Sequence, residues 1–126
     1  MQKENSHLNP NIMLMQREGK IWGNTTCLFN KCNVSMHRLE VIANHCCSKH
    51  KHLYKYNMFF VESGMIDIKV WQENGIVDVT TLSAGQSCVV PPNKYHKFIV
   101  RENGVVFEMY WTELIEPDII REDSGK

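Results

Sequence analysis

The sequence lacks a surplus of charge of either sign: across 126 residues, 14 Lys and Arg balance 14 Asp and Glu. Binding to phosphate backbones draws on cationic excess gathered on one face, and no run of Lys and Arg supplies it, so nucleic acid is not an expected partner. Long apolar runs are also missing. None approaches the about 18–20 residues of a membrane-spanning helix, so no membrane partner is expected. The first ten residues are polar and show no secretory signal. The five cysteines (Cys27, Cys32, Cys46, Cys47, Cys88) are odd in number. Without an export signal they read as reduced thiols in a cytoplasmic protein, not as a disulfide framework. No stretch of a dozen residues carries a helical apolar stripe. What is present is 43% hydrophobic residues in a chain of single-domain length, enough for a core that needs no staple.

The apolar residues fall in short runs separated by turn signals. In Met65-Ile66-Asp67-Ile68-Lys69-Val70, Ile66, Ile68 and Val70 share one face of a strand. Glu73-Asn74-Gly75 follows as a hairpin turn, and 76–82 returns rich in Val and Thr. Cys88-Val89-Val90 stops at Pro91-Pro92, and 96–100 is a further run with His96, Phe98 and Val100 on one face. Glu102-Asn103-Gly104 repeats the turn chemistry, and 105–111 resumes with Val105, Phe107, Met109 and Trp111 in register. Upstream, 27–29, 38–42 and 58–61 add strands. Many short strands at spacings of roughly 8–12 residues predict an all-β sandwich or barrel. Residues 1–18 read as an N-terminal arm, 19–115 as the barrel and 116–126 as a C-terminal tail.

Three of the six histidines converge on this reading. His50-Lys51-His52 is an i, i+2 pair, and on a strand such side chains point to one face. His96 shares the face of Phe98 and Val100 and so points inward as well. Three imidazoles with open positions make a catalytic type of metal arrangement, since a structural site is usually closed by four protein ligands. The alternative is solvated histidines in the segment Lys49-His50-Lys51-His52, and spacing alone does not separate the two. A rival metal site would join Cys27, Cys32, Cys46 and Cys47 with His45 and His50. Those cysteines lack the repeated C-x2-C spacing, and buried thiols behave as small hydrophobes.

The spacing around these histidines resembles the cupin superfamily of small jelly-roll barrels. The first cupin motif is His-x-His, then a glutamate, then a glycine; here it reads His50-Lys51-His52, Asn57 and Gly64. The second is Gly, five residues, Pro-x-Gly, two residues, His; here it reads Gly85, Pro91-Pro92-Asn93 and His96. The resemblance spans roughly 20–111. Within the superfamily the chain is most similar to the cupin domain of type II mannose-6-phosphate isomerases. That likeness rests on Ile21-Trp22-Gly23, on Ser48 ahead of the histidines and on the closing segment 117–123. It implies a double-stranded β-helix and a divalent metal ion (Fe, Mn, Zn or Ni) held by His50, His52 and His96, with Asn57 as an optional fourth contact.

Asn57 replaces the motif glutamate, Asn93 the Gly of Pro-x-Gly, and Asn44 the Gly ahead of the first motif. Asn tolerates left-handed backbone better than most residues, so Asn44 and Asn93 are compatible with those positions. An amide at 57 contributes no charge and abstracts no proton near neutral pH. Three neutral imidazoles would then leave the full charge on the metal, favouring anionic ligands. Tyr56 and Tyr110 are the expected polar-tipped lining of a small-molecule pocket. Glu108, opposite in phase to Phe107 and Met109, is expected to point outward and is given no role.

The resemblance suggests a metal-dependent sugar or sugar-phosphate isomerase or epimerase, with an anionic or carbohydrate ligand. Two alternatives stay open: a three-histidine iron oxygenase, and a non-catalytic metal- or carbohydrate-binding module. Small cupins pair through sheet edges, and the polar arm and the tail after Glu116 offer material to cover them, so a homodimer is expected.

Overall fold

The computed structural model describes residues 15–112, together with Ile12 and Gly125. Most of the arm (1–18) and all but one residue of the tail (116–126) lie outside the described residues, as does the closing segment 117–123. The described part is all-β, as expected. Its strands are β1 (Arg17–Lys20), β2 (Gly23–Lys31), β3 (Val34–Val41), β4 (Tyr56–Trp71), β5 (Val77–Ser83), β6 (Ser87–Val90) and β7 (His96–Trp111). They pair antiparallel in the order β1-β2-β3-β7-β4-β5, with β6 on the free side of the first half of β4. No helix among the described residues is long and apolar enough to cross a membrane.

The two 16-residue strands, β4 and β7, organise the barrel. The sequence suggested a turn at Glu102-Asn103-Gly104, but the chain continues through it as strand. There β7 meets the stretch of β4 around Ser63 and Gly64, where the ladder slips register between Val61 and Ile66. Glycine serves close approach at this point: a Cβ on Gly104 would collide with the Ser63 carbonyl, and Gly64 is left-handed at φ 85. The Glu73-Asn74-Gly75 turn does join β4 to β5. It is a three-residue loop in which Gly75 is left-handed (φ 86) and donates its N–H to the Gln72 carbonyl at 3.0 Å.

Because β7 is uninterrupted, the inward face of His96, Phe98 and Val100 continues in phase to Val106, Glu108 and Tyr110. This corrects the expectation that Val105, Phe107, Met109 and Trp111 face the core: Val106 is 1% exposed, and those four alternate to the outer face. Opposite β7, the inward residues of β4 are Asn57, Phe59 and Val61, all buried. Leu39 and Val41 from β3, Ile66 and Ile68 from β4, Leu82, Val90 and Trp22 complete the core.

Candidate metal centre

The His-x-His segment is not a strand. Residues 44–50 instead run antiparallel beside the first half of β7, with His50 in an isolated bridge to His96. His50 donates its N–H to the His96 carbonyl at 3.0 Å, and His96 returns the bond at 2.8 Å. This reciprocal pairing, rather than strand alternation, brings His50 beside His96. His52 follows outside any strand, and its carbonyl accepts the Asn93 N–H at 2.7 Å. Asn93 is left-handed at φ 64 and Asn44 at φ 70, as the substituted glycine positions require. The second motif thus anchors the first through its backbone.

One donor atom from each of His50, His52 and His96 lies within 4.8 Å of the other two. Among the described residues this is the one such cluster of three or more His, Cys, Asp or Glu. The rings pack at centroid distances of 4.7–5.7 Å. Two have the tautomer a metal ligand needs. The Nδ1–H of His50 donates to the Ser48 carbonyl at 2.7 Å, and that of His96 to the Lys94 carbonyl at 2.9 Å. Carbonyls only accept, so Nδ1 carries the proton, and in the neutral ring Nε2 is a bare lone pair.

The Nε2 of His52 is buried with no hydrogen-bond partner. That of His96 faces Asn57 Oδ1 at 3.0 Å, two acceptors directed at each other. Buried orphaned or opposed lone pairs are costly, and a divalent cation satisfies both situations. Burial also holds the imidazolium form of His96 down and, with the charges of His50, His96 and Lys55, lowers His52 to about 4. Neutral imidazoles are the ligand form, so the donor set fits a divalent ion, with Asn57 Oδ1 beside it.

Asn57 is fully buried on β4. Its Nδ2 donates to Glu108 Oε2 at 3.3 Å and to the Met109 carbonyl at 3.4 Å. The Tyr110 hydroxyl donates to the same Glu108 oxygen at 2.7 Å. Glu108 therefore faces inward, and the expectation that it points to solvent is corrected. The signal was present in the sequence: Tyr110, assigned to the pocket, lies two residues along the same strand and shares its face. Burial pushes the Glu108 carboxyl up, against its bonds to Tyr110 and Asn57. Burial and the neighbouring Glu108 push Tyr110 far above the usual phenol range.

A cavity of about 460 Å³ opens beside this network, with His50, Glu108 and Tyr110 in its wall. Trp22 and Phe98, in edge-to-face contact at 5.1 Å, give it an apolar surface. His37, which the sequence did not single out, lies directly opposite Glu108 in the β3–β7 ladder and also lines the cavity. Lys20, on the cavity rim, is paired with Glu18 at 2.7 Å. Tyr56 is placed elsewhere. It is one residue out of phase with inward Asn57, does not line this cavity, and stacks on Trp111 with ring centroids 5.7 Å apart.

The cysteines form no second centre. All five are free thiols, and Cys32 and Cys46 are exposed. Cys47 packs against the core, where burial pushes its thiol up to about 11 and its sulfur accepts the Phe98 N–H at 3.2 Å. That is the chemistry of a structural thiol.

No protein-family model matches the sequence, and no curated protein matches it. Solved structures do. A variant of oxalate decarboxylase from Bacillus subtilis aligns at TM-score 0.70 and 10% identity, covering 78% of this chain and 27% of that one. KdgF from Halomonas sp. aligns at 0.66 and 13%, covering 81% and 88%. An RmlC-like cupin from Shewanella frigidimarina aligns at 0.63 and 21%, covering 79% and 85%. The chain spans little more than a quarter of the oxalate decarboxylase. At these identities the likeness shows architecture alone. The described part of the chain has the cupin-type jelly-roll barrel fold.

Proposed function

We propose that the protein is a metal-dependent cupin acting on a hydroxy-carbonyl small molecule, a sugar or sugar phosphate, as an isomerase or epimerase. The observation that carries this reading is the shared cavity wall, which presents His50 of the histidine cluster beside the inward carboxylate of Glu108. A divalent ion held by His50, His52 and His96 would polarise a substrate carbonyl. Its identity is open among Fe, Mn, Zn and Ni; the similar B. subtilis oxalate decarboxylase has Mn(II) centres.

The protein's own residues supply the rest. Glu108 takes a proton at Oε1 from the carbon next to the carbonyl, since the bonds to Tyr110 and Asn57 both go to Oε2. In an isomerisation it delivers that proton to the former carbonyl carbon as the neighbouring hydroxyl proton passes to the carbonyl oxygen. Trp22 and Phe98 offer an apolar surface to a sugar ring and exclude water, while Tyr110 and His37 offer polar contacts. The base that the sequence did not supply at position 57 is thus provided from β7.

The test is proton exchange. Metal-loaded protein incubated in D2O with aldose and ketose phosphates and the free sugars is expected to exchange the proton on the carbon next to the carbonyl, at C2 of an aldose and C1 of a ketose. Glu108→Gln is expected to slow that exchange by about 10²–10⁴. Absence of exchange on every sugar would refute the reaction. Oxygen uptake by the iron-loaded protein with thiols or diketones would make it a three-histidine oxygenase instead.

The same reading takes the protein as a cytoplasmic homodimer. Its support is the outer face, where Phe29, Met36, Met109, Met58 and Val89 pair in succession across five strands. A monomer in sedimentation at micromolar concentration would remove the dimer.

A further inference from the structure

We propose that Glu108 is the positioning residue of the metal centre: it fixes the Asn57 amide with oxygen, not nitrogen, turned to the metal, and supplies from one step away the negative charge that a motif carboxylate would supply directly. The inference rests on the metal centre proposed above, not on the sugar reaction.

A side-chain amide has nearly the same shape whichever way it is turned, so its partners decide which atom faces a ligand. Asn57 is fully buried and cannot turn to water. Its Nδ2 meets two groups, Glu108 Oε2 at 3.3 Å and the Met109 carbonyl at 3.4 Å. A carboxylate and a carbonyl both accept, so the amide must present its N–H groups to them. The Tyr110 hydroxyl donates to the same carboxylate oxygen at 2.7 Å and holds it in place. Oδ1 is left facing His96 Nε2 at 3.0 Å.

The ladder explains how β7 reaches position 57. Tyr110 is the direct partner of Asn57, and Phe59 the direct partner of Glu108, so Glu108 and Asn57 are diagonal neighbours on the inward face. The sequence's loss of charge at 57 is therefore a relocation. The carboxylate moves from the strand that carries the fourth ligand to the strand beside it and acts through the amide.

Co(II) titrated into the metal-free full chain tests this, read by affinity and by the visible absorption of the bound ion. Wild type is expected to bind. Glu108→Gln, whose amide both donates and accepts, releases the orientation; it is expected to bind about 10–100-fold more weakly, with shifted absorption bands. Its metal-free melting temperature is expected to stay level or rise, because a buried charge has been removed. The double variant Asn57→Asp/Glu108→Gln exchanges the two groups and is expected to recover affinity. Should Glu108→Gln fail to fold, Tyr110→Phe carries the test, with a smaller loss in the same direction.

Wild-type affinity and spectrum in Glu108→Gln, or in Tyr110→Phe where that carries the test, would overturn the inference and leave the metal centre standing. A double variant no tighter than Glu108→Gln would do the same. A wild type that takes up no Co(II) would overturn the metal centre and this inference together.

Discussion

His52→Ala is expected to weaken metal binding by about a hundredfold or more while the metal-free protein keeps nearly all its stability. Apparent binding energies of structural zinc sites run to about 10–16 kcal/mol. Shared over three or four ligands, that is about 2.5–5 kcal/mol each, and about 1.4 kcal/mol is a factor of ten. The metal-free protein gains little from this side chain, because His52 Nε2 is buried without a partner. Such an atom costs about 1–3 kcal/mol, which offsets the ring contacts with His50 and Tyr110 that truncation removes. Net destabilisation below about 1 kcal/mol follows. Metal titration beside urea unfolding of the metal-free forms measures both. A histidine kept for packing alone would show the reverse pattern, with stability lost and metal affinity unchanged.

Gly104→Ala is expected to be strongly damaging, at about 3 kcal/mol, the upper end of overpacking. The added Cβ would meet the Ser63 carbonyl and the Gly64 nitrogen, all backbone atoms, so no rotamer change relieves the clash. Against a total stability of about 5–15 kcal/mol, that loss lowers the melting temperature by about 10 °C or more. Gly19→Ala is the control, since a Cβ there meets nothing within 4 Å, and it is expected to stay within about 0.5 kcal/mol of wild type. Equal melting temperatures for the two variants would contradict the close crossing of β4 and β7.

The three histidines were legible from the spacing of their two motifs and the fold class from alternation, both of which a sequence displays directly. Asn44 and Asn93 were legible because left-handed backbone has few tolerant residues. Three features were not. Asn103-Gly104 has the composition of a turn, yet its glycine serves a close approach between strands distant in sequence, which no local signal records. That false turn broke the phase of β7 and put the more apolar set, Val105 to Trp111, on the core side. Glu108 was therefore turned outward, although its phase matches both His96 and Tyr110. His50 and His52 converge for a reason other than strand alternation: the His50–His96 backbone bridge depends on pairing between segments distant in sequence. Tyr56 was misplaced by one residue of phase, since Asn57 takes the inward position.

The central claim is that His50, His52 and His96 hold a divalent metal in the barrel. It is tested most directly by elemental analysis of the purified protein beside the His50→Ala/His96→Ala double variant, with both shown to be folded. The account predicts metal approaching one equivalent per chain in the wild type and only traces in the variant. Equal metal content in the two would contradict it.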